Sequence, residues 1–125
     1  MIAVAQSFRK ERLSGAIQVL LSELLVNRVK DPRIGFVTIT EVRLSADMET
    51  ARVYYSVMGD EASRGESHKG LISAKNFLRK AIGDELKMRN TPDFVFVYDD
   101  TLDRADSIDR ALGDVRQHDE GEDET

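Results

Sequence analysis

The sequence contains no cysteine. Disulfides, thiol nucleophiles and cysteine-ligated zinc are therefore excluded, and the composition fits a reducing compartment. Histidine is scarce, with only His68 and His118. His118 falls in an acidic terminal stretch, and His68 stands near the start of an expected helix with no evident partner. No nucleophile motif or phosphate-binding loop accompanies them, so no catalytic residue is assigned and an enzyme is not expected. No run approaches the ~20 apolar residues of a membrane span, so no membrane partner is expected. Residues 1–12 lack an apolar stretch behind a basic start, so no secretory signal is expected there. What remains is 125 residues, 41% apolar and 33% charged, which suits one soluble domain with a single core.

The formal net charge of -5 conceals a segregation. Residues 1–92 carry 15 Lys/Arg against 11 Asp/Glu, a net of +4, and residues 93–125 carry 3 against 12, a net of -9. A mildly basic body suggests a polyanionic partner, and an acidic end limits promiscuous binding or meets a basic surface. Two solvated surfaces would give the same numbers. Asp99, Asp100, Asp103, Asp106 and Asp109 cluster, but no glycine or terminal glutamate completes an EF-hand pattern. Their spacing suits a helix start capped by Asp103 or Asp106. No metal and no cofactor are expected.

A first helix is expected from about Ser7, a fair N-cap, with Leu13, Ile17, Leu20, Leu21, Leu24 and Leu25 on one apolar face. Arg9, Lys10 and Arg12 would then crowd the first turn, where the helix dipole disfavours cations, which makes them candidates for an anion contact. Pro32 ends the helical region, because it has no N–H and holds Asp31 out of the α conformation. Two strands follow, Phe36–Leu44 and Ala51–Val57, joined by the polar loop Ser45–Glu49. In the first, Val37 and Ile39 are apolar at odd positions, while Val42 and Leu44 are apolar at even ones. One extra residue near Thr40-Glu41, a β-bulge, would bring all four to one face. The alternative is a strand buried on both faces at its start. In the second strand, Ala51, Val53, Tyr55 and Val57 share a face. A third strand, Phe94–Tyr98, follows the break at Thr91-Pro92.

Ser63-Arg64-Gly65-Glu66 has the form of a capping box, so helix is expected from there. Leu71, Ala74, Leu78, Ala81 and Ile82 form its apolar stripe. Lys69, Ser73, Asn76, Lys80, Gly83 and Lys87 recur with alternating spacings of four and three and share a second, narrow face that holds no acid. Lysines can contact phosphates without reading bases, and Gly83 would let a backbone approach. Lys75, Arg79 and Arg89 lie nearby, and Lys30 and Arg33 flank the break. With Arg9, Lys10 and Arg12 these are the candidate RNA-binding residues. An ordinary solvated face would look similar.

Several pieces, in order and spacing, resemble ribosome-binding factor A. They are Lys30 to Gly35, Val37 to Thr40 with Val42, Ser45 to Met48, Ala51 to Tyr54, Leu78-Arg79, Pro92 to Phe96, and Asp99 with Thr101. The resemblance covers about residues 8–112. It implies an α+β, type II KH-like fold of helix, strand, strand, helix, kink, helix, strand, with a three-stranded mixed sheet and helices on one face. KH domains clamp nucleic acid with a G-x-x-G loop, which this chain lacks. The family has instead a kink at an Ala-x-Gly sequence, aligned here with Ala74-Lys75-Asn76, where Asn76 departs from the glycine. The expected sheet order is 2-1-3, the third strand returning parallel to the first. Residues 1–112 would form the RNA- and ribosome-binding domain and residues 113–125 a disordered acidic tail. The resemblance further implies a cytoplasmic, monomeric partner of the immature small (30S) ribosomal subunit and its 16S rRNA that assists maturation and cold adaptation. The competing reading is a KH-like protein-interaction module or a general RNA binder without a ribosomal role.

Overall fold

The structure, a computed structural model, describes the backbone of residues 2–101 and the side chains of residues 8–101. Asp103, Asp106 and Asp109, expected at a helix start, and the expected acidic tail at 113–125 lie outside the described residues. Five elements follow in order: α1 (Ile2–Asn27), β1 (Val37–Leu44), β2 (Thr50–Val57), α2 (Glu61–Glu85) and β3 (Asp93–Tyr98). Both helices pack on one face of a three-stranded mixed sheet, α1 over β1 and α2 over β2 and β3. The architecture is the expected α+β, KH-like one.

α1 starts at Ile2 rather than near Ser7. Residues 2–6 contain two alanines and no glycine or proline, so nothing stops the helix from extending backwards. Arg9, Lys10 and Arg12 therefore lie beyond the first turn, where the dipole penalty has faded, and their position no longer marks them for an anion. Ile17 and Leu21 are fully buried, and Leu13, Leu20, Leu24 and Leu25 pack around them.

The parity switch in β1 is a bulge. Its pairing with β2 runs from Val37 opposite Val57 to Ile39 opposite Tyr55, then resumes at Glu41 opposite Tyr54. Thr40 is the extra residue. Ile39, Val42 and Leu44 thereby reach the core face together. The disturbed ladder leaves carbonyls to satisfy. The Gln18 side-chain amide of α1 donates to the carbonyls of Ile39 and Thr40, at 3.3 and 3.2 Å.

The sheet order is β1-β2-β3, with β3 parallel to β2. The expected order 2-1-3 is wrong: Phe94 stands beside Ala51 and Phe96 beside Val53, and no residue of β3 pairs with β1. Two physical reasons favour the observed order. β2 alternates without interruption and offers a straight ladder edge, whereas β1 is bent at its bulge. A crossover between strands consecutive in the chain, carried by one helix, is also the shortest parallel connection.

α2 opens at Asp60, not at a Ser63 capping box. The Asp60 carboxylate accepts the Ser63 N–H at 2.9 Å, so Ser63 lies in the first turn. That hydrogen bond holds the Asp60 carboxyl below its ordinary pKa. The expected pair of helices is one element of 25 residues that passes unbroken through Ala74, Lys75 and Asn76. Dividing it would orphan backbone hydrogen bonds, and this stretch has no glycine or proline to absorb the change. Leu71, Leu78 and Ile82 are fully buried beneath it, each contributing roughly 1.5–3 kcal/mol.

The end of α2 is a Schellman motif. The Met88 N–H bonds the Gly83 carbonyl at 2.9 Å and the Lys87 N–H bonds the Asp84 carbonyl at 3.4 Å. Lys87 takes the left-handed position at φ 53°, where a side chain costs about 1 kcal/mol. Lys87→Gly should therefore stabilise the fold by about 1 kcal/mol, read as a higher denaturant midpoint at unchanged slope.

Candidate nucleic-acid interface

Because α2 is continuous, its fourfold and threefold spacings hold in space. Lys69, Ser73, Asn76 and Lys80 are all exposed on one face of the helix. Lys69 and Lys80 stand about 17 Å apart along the axis, enough to follow several phosphates of one strand. Lys69 lies 3.5 Å from Glu66, an exposed pair worth little against a phosphate. Lys80 has no ion-pair partner among the described residues. Lys87 and Arg89 extend the positive surface beyond the helix end and are exposed.

Other candidates fall elsewhere. Gly83 is buried, and a side chain there would collide with Thr91 in the returning connection, so its missing Cβ admits this chain's own backbone and not an RNA. Arg79 is half-buried; its Nε donates to the Pro92 carbonyl at 2.9 Å and its Nη2 to the Thr91 carbonyl at 3.0 Å. It is a structural clamp on the α2–β3 connection. Lysine cannot reproduce that fork, so Arg79→Lys should cost about 1–3 kcal/mol in denaturant unfolding. Lys75 is half-buried, 3.5 Å from Asp93. Arg33 is held in a two-pronged contact with Asp31, at 3.0 and 2.7 Å, which keeps that carboxyl below its usual range. Lys30 is exposed.

The connection from α1 to β1 reaches α2 at Gly70, where an added Cβ would lie 2.5 Å from Ile34 Cγ1 and 3.4 Å from Arg33 Cβ. That close approach sets Arg33 one residue from Lys69. Arg9 and Arg12 are exposed on α1, a different element. Lys10 lies beside Glu41 and Leu44 of β1, whereas α1 meets α2 through Leu20, Leu24 and Asn27 against Ala81 and Glu85.

His68, read as lacking a partner, has one. Its Nδ1 shares a hydrogen bond of 2.8 Å with the Tyr55 hydroxyl, and the rings stack at 6.0 Å. Burial raises the pKa of that hydroxyl, with Tyr98 adding to the rise. Among the acids, Asp99 accepts from the Thr40 hydroxyl at 2.6 Å and, on its other oxygen, from the Thr101 N–H at 2.9 Å. No group of three residues suited to a metal ion forms among the described residues.

The family model described as ribosome-binding factor A matches residues 9–112. This chain belongs to the ribosome-binding factor A family. Ribosome-binding factor A of Geotalea uraniireducens is 44% identical over 115 residues, covering 92% of this chain and 94% of the relative. That of Dictyoglomus thermophilum is 44% identical over 117 residues, covering 93% and 98%. The crystal structure of ribosome-binding factor A from Thermus thermophilus aligns with a TM-score of 0.62 at 28% identity, over 71% of this chain and 94% of that one. A homology model of the Thermus thermophilus factor, fitted into an electron cryo-microscopy map of its 30S complex, aligns with a TM-score of 0.61 at 26% identity, over 73% and 96%.

In this member of the family, one residue beside the stripe is not marked by the sequence pattern. Phe77 is 47% exposed at its edge. Its apolar type places it with the core, yet on a helical wheel it stands about 100° from Leu78. That angle was the available signal.

Proposed function

We propose that this chain binds the small ribosomal subunit and its 16S rRNA through the exposed stripe of α2 and assists maturation of that RNA. One observation carries the reading: Lys69 and Lys80 project from a single helix face with Ser73 and Asn76 between them and no acid interposed. A stripe of this kind supplies phosphate contacts that position a protein without reading sequence. Membership of a family whose Thermus thermophilus member has been fitted into a 30S complex supports it. The action is binding and remodelling and needs no catalytic group. Cold stabilises misfolded RNA helices, so the demand for such a factor would rise at low temperature. The reading places the protein in the cytoplasm as a monomer, with residues 1–112 as the binding unit and the acidic residues 113–125 limiting nonspecific RNA contact.

Co-sedimentation of the purified full chain with free small subunits, free large subunits and whole ribosomes tests this. Binding confined to small subunits, weakening log-linearly with salt, is the expected result. Equal binding to all three, or binding indifferent to salt, would leave a general RNA binder or a protein-interaction module instead.

A further inference from the structure

Away from the α2 stripe, two large apolar side chains stand in water at the open end of the β1–β2 hairpin. Phe36 is 82% exposed and Met58 is 81% exposed, more than any other large apolar residue described. Phe36 precedes β1 and Met58 follows β2, and the Met58 N–H donates to the Phe36 carbonyl at 3.2 Å, so they sit on adjoining segments. Both line a cavity of about 590 Å³ together with Val57 and with Ala62 of α2. Neither side chain serves the core, because the next residues inward, Val37 and Val57, already supply the packing pair there. A contiguous apolar patch of this kind marks an interaction surface, and methionine is suited to adapting to a partner.

Charge decides the kind of partner. The same cavity is bordered by Asp60 and by Glu66, the latter paired with Lys69, and Glu61 is exposed next to Asp60. Its one cation, Arg33, is already engaged by Asp31. The N-terminus of α2 would ordinarily attract a phosphate, but the Asp60 carboxylate occupies that position on the Ser63 N–H. A nucleic-acid backbone would therefore meet like charge, whereas a Lys/Arg-rich chain would meet opposite charge. We propose that Phe36 and Met58 receive a basic protein segment that presents an apolar side chain to this cavity. On the small-subunit reading, from which this proposal follows, the segment belongs to a protein of that subunit, since chains that lie among rRNA phosphates must be rich in cations.

The test is photo-cross-linking. Full-length protein carrying Phe36→p-benzoylphenylalanine is bound to purified small subunits and irradiated, with a second preparation carrying the probe in place of Lys80. The Phe36 probe should give one protein adduct, mapped by peptide sequencing to a Lys/Arg-rich segment, while the Lys80 probe gives rRNA. The double variant Phe36→Ser, Met58→Ser should bind small subunits about tenfold more weakly, with unchanged salt slope and melting. An rRNA adduct, a dimer of this chain, or no adduct at Phe36 while the Lys80 probe reacts would overturn the proposal and leave the function intact. Failure of the unmodified protein to bind small subunits would overturn the function and this proposal together.

Discussion

Replacing Phe94 with alanine is expected to remove about 3–5 kcal/mol of stability. Phe94 is completely buried, stands beside Ala51 in the parallel ladder, and meets Phe96 edge to face at 6.3 Å. The ring belongs to the buried cluster that also holds Ala51, Val53, Leu71 and Leu78, so truncation opens a void in it. A domain of this size holds roughly 5–15 kcal/mol in total, so the loss is a large fraction of the whole. Val95, the next residue, faces away from the helices and is 43% exposed. Val95→Ala should change stability by no more than about 0.5 kcal/mol. Chemical denaturation of both variants checks the register, since a one-residue slip would exchange the two results.

The largest effect on binding is expected from reversing charge at Lys69 and Lys80 together. The Lys69→Glu, Lys80→Glu variant should lose affinity for small subunits on the order of 100-fold, and its salt slope should fall by about 2. Stability should drop only a few tenths of a kcal/mol, chiefly because Glu at position 69 would face Glu66 three residues earlier. Lys87→Gly separates the two effects in one molecule, since it removes a cation while relieving a left-handed backbone position. Weaker binding from a more stable protein is the expected pairing. Wild-type affinity in the charge-reversed variant, at several salt concentrations, would exclude the stripe as the contact.

What the sequence revealed and what it hid follow from the range of the forces involved. Side-chain parity is local, so the switch from Ile39 to Val42 disclosed the bulge, and the alternation through Val57 disclosed the buried face of β2. Helical spacing is local too, which is why Lys69, Ser73, Asn76 and Lys80 share an exposed face of the continuous helix. Choosing a strand's neighbour is not local: residues 94–98 are apolar enough to pair on either side, and the regular edge of β2 decides it only in three dimensions. Caps were misread because Asp60 and Ser63 are both good caps, and which one closes the helix depends on the chain before it. Gly83 and Arg79 misled for another reason. A glycine or an arginine on a polar stripe carries no mark of the segment that returns over it, and here Thr91 and Pro92 turn both residues inward.

The pairing of β3 with β2 also bears on how the chain emerges during its own synthesis. The first 57 residues contain α1 and the whole hairpin, so the docking of Gln18 on the bulge needs no later residue. One long side of β2 then stays unpaired while α2 and its connection are made, and only Asp93–Tyr98 closes it. An unsatisfied central edge is the surface on which nascent chains join one another. For this protein the vulnerable interval is residues 58–92, a few seconds at ordinary rates of translation. A nascent chain held after β2 has left the ribosome and before β3 has done so is in its most aggregation-prone form.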